Sequence, residues 1–135
     1  MGRILGIDHG DVRIGIAMSD ETAFLASPLT TVQNGKGAVD EIIGLIEEHQ
    51  VEKIVIGMPI NMNGSFGPAT EKVRKFSAKL AEKTDVPIVE SDERLTTVTA
   101  HHNLREAGLD GKQRKGVVDM AAAQVILQDW LDTQL

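Results

Sequence analysis

The 135-residue sequence predicts an α/β fold, a mixed five-stranded sheet with helices on its faces. Two observations carry that expectation. Near the start, two apolar runs at 3–8 and 13–18 are joined only by His9, Gly10, Asp11 and Val12, which reads as an antiparallel hairpin. Beyond residue 38, segments of helical period alternate with short β-branched runs, the pattern of parallel strands with helical crossovers.

Each element has its own signal. Gly10 offers the positive φ that a tight hairpin turn asks for. Pro28 to Val32 reads as a third short strand. From Ala38 to Glu48, Val39, Ile42, Ile43 and Ile46 recur at helical spacing, with acids on the far side. "KIVIG", 53–57, is a short apolar run typical of a strand covered on both faces. After the glycine-rich "GMPINMNGSFG", Pro68 suits the first position of a helix that runs to Lys83 and buries Val73, Phe76 and Leu80. "VPIVE", 86–90, reads as the next strand. Thr96 or Thr97 caps a helix reaching Glu106, which Gly108 stops. A polar loop, 109–116, then leads into a last helix over 117–131. With no repeat, low-complexity tract or linker, residues 1–135 are expected to form a single domain.

Composition narrows the function. A hydrophobic fraction of 41% fits a globular protein, and no apolar stretch reaches the length of a membrane span. Cysteine is absent, which excludes disulfides and thiolate zinc sites. Together with the lack of a charged-then-apolar leader, that predicts the cytoplasm. A net charge of −6 argues against a general polyanion binder, and three Phe with one Trp leave little for a base-stacking platform. The charge is uneven, however: residues 1–50 hold three basic and eight acidic side chains, while 51–100 hold seven of each. Nucleic acid is therefore accessible only through local patches such as Lys72/Arg74/Lys75/Lys79 and Lys112/Arg114/Lys115.

Three acids stand where folding alone does not ask for them. Asp8 ends the first strand, where a carboxylate either takes backbone N–H groups in the turn or serves chemistry. Glu93 follows the 86–90 strand and, if the strands are parallel, emerges at the same sheet edge. Asp119 is the only ionisable residue between Val117 and Ile126 and shares a helical face with Ala123, Ile126 and Trp130. The reading puts it in the first helical turn, where the dipole favours a negative charge, and the three alanines after it let the helix approach the sheet. In open α/β sheets the crevice lies at the carboxyl ends of the strands. Three carboxylates meeting there would repel one another unless a hard divalent cation held them, and oxygen-only donors suit Mg²⁺ or Mn²⁺. Cations at 112, 114 and 115, just before a helix N-terminus, oppose its dipole; a phosphate backbone explains them, and Lys72, Lys75 and Lys79 with them.

Four motifs in order, "DHGDVRIGIAMSD", "GMPINMNGSFGP", "DERLTT" and "VVDMAAAQVILQDWLD", resemble those of the YqgF/RuvX family across essentially the whole chain. That resemblance implies a ribonuclease H-like fold. It also implies metal-dependent phosphodiester cleavage at Asp8, Glu93 and Asp119, and a cytoplasmic role in maturing the 5′ end of 16S rRNA beside the ribosome. The expected substrate is a rRNA precursor or branched DNA. Arg13 and Arg94 are candidate phosphate holders, with Arg94 alternatively orienting Glu93. Asn61 and Asn63 sit in a loop flanking the crevice, as do Lys112, Arg114 and Lys115. A fourth acid is common in related resolvases, and Asp92, Glu90 and Asp20 are the candidates. His9 departs from the family's apolar residue and reads either as a bystander on the turn or as a polar contact near the metals. A monomer suffices for trimming rRNA, whereas a resolvase needs a homodimer. Two other classes compete: nucleotide binding, from the likeness of "GIDHGDVRIGIA" to the first phosphate loop of sugar kinases, and a non-catalytic RNA-binding module in ribosome assembly.

Overall fold

The computed structural model describes residues 2–60, 63–92 and 111–134, with the backbone alone at 111–119. Strands β1 (Arg3–His9) and β2 (Arg13–Ser19) form the hairpin, and β3 (Ala26–Gln33) extends it. Helix α1 (Ala38–His49), strand β4 (Val51–Met58), helix α2 (Pro68–Lys83), strand β5 (Ile88–Asp92) and helix α3 (Gly111–Asp132) follow. The sheet order is β3-β2-β1-β4-β5, antiparallel in the β1–β2–β3 half and parallel from β1 through β5. The mixed five-stranded sheet is thus as expected.

Several boundaries differ. Strand β3 begins at Ala26 rather than Pro28: as an edge strand it tolerates proline, and a register shift between Ile16 and Ala17 accommodates it. Strand β5 is displaced two residues along, because Val86 and Pro87 serve as its approach, with the Ile54 N–H bonded to the Pro87 carbonyl at 2.9 Å. Of the polar loop expected over 109–116, Gly111 to Gly116 are helical, and 109–110 lie outside the described residues. The helix expected at 96/97–106 lies outside the described residues.

Two apolar layers sandwich the sheet. On one face Leu5, Ile7, Ile14, Ile16, Ile54, Ile56 and Met58 pack against Ile42, Ile46, Val73, Phe76 and Leu80 of α1 and α2. On the other, Ile4, Ala17, Ala26 and Val55 pack against Ala123, Ile126, Leu127 and Leu131 of α3. Strand alternation sorts neighbouring residues between the layers.

Helix α3 lies very close to β1. A Cβ on Gly6 would come 2.7 Å from the Leu127 Cβ and 3.0 Å from the Ala123 carbonyl oxygen, so only glycine fits under the helix. Three contacts fix its direction. Trp130 lies under the Lys53 ammonium, 5.2 Å away, and Lys53 pairs with Ile4 at the start of β1. Gln124 and Gln128 bond the Ala26 carbonyl and N–H, at 3.0 and 2.9 Å. Ala123 and Leu127 lie over Gly6, farther along β1. The helix therefore runs antiparallel to β1, its N-terminal half toward the strand's carboxyl end.

Candidate functional site

The carboxyl ends of β1, β4 and β5 share one sheet edge, as three mutually parallel strands must. Asp8 stands there, half-buried, opposite Gly15 of β2. By alternation its side chain follows Ile4 and Gly6 onto the face that α3 covers. Arg13, at the start of β2, falls on the same face as Gly15 and Ala17 and at the same edge, also half-buried.

Of the proposed trio, Asp8 alone has a described side chain. Glu93 and Arg94 lie outside the described residues. Position 119 is in α3, one helical turn before Ala123 and two before Ile126, both fully buried against the sheet. Since α3 starts at Gly111, Asp119 is the ninth helical residue rather than a first-turn acid. At that depth the helix dipole does not favour a negative charge, because its effect fades within the first turn. Lys112, Arg114 and Lys115 stand in the opening turns of α3 rather than before it. Their side chains, like that of Asp119, lie outside the described residues. Among the described residues no three His, Asp or Glu side chains gather as a metal group.

The candidate fourth acids separate clearly. Asp20 follows β2 at the opposite end of the sheet from Asp8. Its oxygens accept the Phe24 N–H at 2.8 Å, the Leu25 N–H at 3.1 Å and the Thr22 hydroxyl. The Thr22 bond, then those backbone donors, hold its pKa down at about 2. It is a loop clasp. Glu90 pairs with Ile56 in register, on the α2 face, and its carboxylate lies 4.0 Å from the Arg74 Nε. Asp92, opposite Met58, belongs to that same face. None of the three shares Asp8's face and edge together.

His9 points the other way from Asp8, its ring 4.9 Å from that of Phe76 and its Nε2 3.3 Å from the Asn34 Nδ2. Burial lowers its pKa from 6.5, outweighing the opposing pull of Asp11, so the imidazole is neutral at pH 7. Of the two readings of His9, the geometry favours the one that keeps it away from Asp8's face. Asn63 is engaged locally: its Oδ1 accepts the Ser65 N–H at 3.0 Å and hydroxyl at 2.6 Å. Asn61 lies outside the described residues. Lys72 meets Asp11 at 3.1 Å on the surface, and Lys75 is exposed on the same side of α2.

Two neighbouring pockets open at this edge. One, of about 400 Å³, is lined by Asp8, His9, Gly10, Asp11, Lys72 and the start of α2. The Thr70 hydroxyl anchors that start to the Pro59 carbonyl at 2.5 Å. The other, of about 330 Å³, lies between α1 and α2 and was not singled out by the sequence reading, which noticed Lys72, Lys75 and Lys79 but not Lys36 or Asn34 beside them. Among the described residues no helix is long and apolar enough to cross a membrane.

Comparison with known proteins puts these features in context. The family model described as RuvX, Holliday junction resolvase, matches residues 2–133. A protein of Ruminiclostridium cellulolyticum is 45% identical over 133 residues, covering 96% of this chain and 94% of its own length. One of Caldanaerobacter subterraneus is 46% identical over 138 residues, covering 98% and 97%. Both carry the name of a pre-16S rRNA nuclease. Among solved structures, T. thermophilus RuvC in complex with a Holliday junction substrate superposes with TM-score 0.59 at 12% identity, over 99% of this chain and 96% of that one. The fowlpox virus resolvase bound to Holliday junction DNA gives 0.60 at 9% identity, over 98% and 99%. At such identities the likeness is one of fold.

Proposed function

The chain belongs to the RuvX family, and from that premise we propose that it is a metal-dependent endonuclease that hydrolyses phosphodiester bonds in structured nucleic acid, trimming the 5′ end of pre-16S rRNA. The rRNA substrate follows the relatives at 45–46% identity, which are named for it. One observation carries the choice of site. Helix α3 runs antiparallel to β1 with its backbone against Gly6, two residues before Asp8, so its preceding turns lead toward the edge where Asp8 stands. Position 119 is the acid in those turns, and Glu93 follows directly on β5, whose carboxyl end shares the edge.

The donor set fits a hard cation. A site of carboxylates in a chain with no cysteine suits Mg²⁺ or Mn²⁺ rather than zinc. Asp8, Glu93 and Asp119 would hold it. Such an ion, when bound, lowers the pKa of a coordinated water and offsets charge on the phosphate. Asp8, fixed by the β1–β2 ladder, supplies a rigid anchor for that group. Arg13, on the same face and edge, holds a non-bridging phosphate oxygen, and Arg94 either does the same or orients Glu93. Lys72, Lys75 and the basic start of α3 at Lys112, Arg114 and Lys115 draw the backbone in, with Asn61 and Asn63 of the segment before α2 as further candidate contacts.

The family's description favours a second reading, resolution of branched DNA, which demands two active sites and hence a homodimer. One experiment addresses both. A single preparation is assayed on a precursor rRNA fragment and on a four-way DNA junction, with Mg²⁺ and with Mn²⁺, beside Asp8→Asn and Asp119→Asn. Cleavage of the rRNA that drops at least about a hundredfold in each variant, the scale of losing several kcal/mol of metal-assisted stabilisation, is the expected result. Cleavage that survives in highly purified Asp8→Asn protein refutes the site. Cutting of the junction alone, by a dimer, replaces the rRNA reading with the resolvase one.

A further inference from the structure

Building on that nuclease reading, we infer that the lysine-lined pocket between α1 and α2 holds a phosphate of the substrate strand flanking the cleavage point, so that the strand crosses the sheet edge from the face of Asp8 to the opposite face. The pocket, about 330 Å³, is walled by Lys36, Lys72, Lys75 and Lys79, with His9 and Asn34 among the residues toward the sheet. One carboxylate, Asp11, joins four ammonium groups there, and Lys72 engages it at 3.1 Å. Among the described residues Lys36, Lys75 and Lys79 have no carboxylate partner. Lys72, Lys75 and Lys79 fall at i, i+3 and i+7 on one face of α2, a spacing at which like charges oppose the helix. Glu71, four residues before Lys75 on α2, offsets part of that opposition, but no described carboxylate besides Asp11 lines the pocket. A bound anion accounts for the cations gathered there.

Local geometry favours a phosphate. Gly35, Lys36, Ala38 and Val39 form one wall, so the start of the 12-residue α1 opens onto the pocket. Its cap, Gly37, contributes no side-chain bond, and its first turn carries Asp40 and Glu41. Asp40 of the same turn is engaged by Lys83 at 2.7 Å. His9 and the Asn34 amide, whose Nδ2 donates to the Gly10 carbonyl at 2.8 Å, add polarity without negative charge.

The pocket also connects to the cleavage site. The neighbouring pocket that includes Asp8 shares His9, Asp11 and Lys72 with it. Asp8 and His9 are consecutive residues on opposite faces, about 3.8 Å apart at Cα. A strand cut beside Asp8 has therefore only the hairpin turn to cross before reaching the lysines.

The test is binding rather than turnover, so it reads the pocket whether or not Asp8 cleaves. A fluorescein-labelled 20-nucleotide single-stranded RNA is titrated by anisotropy in EDTA across a salt series. The 135-residue protein is compared with Lys36→Ala/Lys75→Ala/Lys79→Ala, all exposed side chains, with the thermal midpoint of each protein recorded to check that both are folded. The triple variant is expected to bind at least fivefold more weakly at 100 mM salt. Its slope of log K against log salt should be shallower by about 0.7–1.4, the loss of one or two phosphate contacts to a single strand. Lys53→Ala, which removes a cation at the opposite end of β1, keeps the wild-type slope. An unchanged slope in the triple variant overturns the inference, as does an equal fall in Lys53→Ala. A pocket that takes inorganic phosphate while the RNA slope stays the same overturns it too. Failure here leaves the Asp8 site standing, and failure of Asp8→Asn to stop cleavage leaves the pocket standing.

Discussion

The two faces of the sheet are packed by opposite means. Against α1 and α2 the strands present Leu5, Ile7, Ile14, Ile16, Ile54 and Ile56, a thick layer of branched side chains meeting Phe76 and Leu80. Against α3 they present Gly6 and Ala17 beside Ile4 and Val55, and the helix answers with Ala123, Ile126, Leu127 and Leu131. One face holds its helices at a distance by volume; the other brings a helix down by omitting side chains. Under the nuclease reading proposed above, it is the thin layer at Gly6 that would let position 119 of the helix approach the edge where Asp8 stands.

The contrast can be broken from either side. Leu80→Ala, which empties a fully buried position in the thick layer, should cost about 2–5 kcal/mol in urea unfolding while the folded fraction keeps its cleavage rate. Loss of specific activity beyond the unfolded fraction would show that the thick layer also shapes the site. Gly6→Ala drives a methyl into Leu127 and the Ala123 carbonyl and should cost about 1–3 kcal/mol by overpacking. Unlike Leu80→Ala, it should abolish cleavage even where the protein remains folded, because α3 is pushed off β1. Retained activity in Gly6→Ala would detach position 119 from the close approach. The smallest effect concerns Asp8's neighbour. Burial lowers the folded pKa of His9 below 6.5, so the unfolded chain takes up the proton first. Stability is then fully present above pH 6.5 and declines as the pH falls below it. Replacing His9 with Phe should flatten that decline, which thermal unfolding at pH 5.5 and 7.5 will show.

Much of this was legible in the sequence because the signals were local. Pro68 falls at a helix start as the sequence suggests, and the Pro68–Lys83 helix has both expected ends. Gly10 does sit in the hairpin turn, but not for the positive φ expected of it: its backbone stays out of the left-handed region, and glycine is needed because a Cβ there would come 2.4 Å from the Arg13 carbonyl oxygen. Where the reading erred, a local signal was overruled by its surroundings. Pro28 looked like a strand boundary, yet at a sheet edge it costs little. Gly116 and its cations looked like a loop, yet Lys112, Gln113, Arg114 and Lys115 are good helix formers and α3 begins before them. The candidate site was half legible. That Asp8 ends a strand could be read, and so could the alanines beside position 119. Which face each acid takes could not, because alternation sorts Glu90 and Asp92 away from Asp8 only once the register with β4 is known. The lysine pocket escaped for the same reason: Lys36 lies far in sequence from Lys75 and Lys79 and meets them only through the packing of α1 on α2.

The seating of α3 on Gly6 has a consequence for the order in which the fold assembles. The β1–β2 hairpin closes over the short turn at residues 10–12, whereas the contact of α3 with β1 spans every other described element and closes the longest loop among them. Such a non-local contact forms late, so the hairpin is expected to be in place before the helix docks on it.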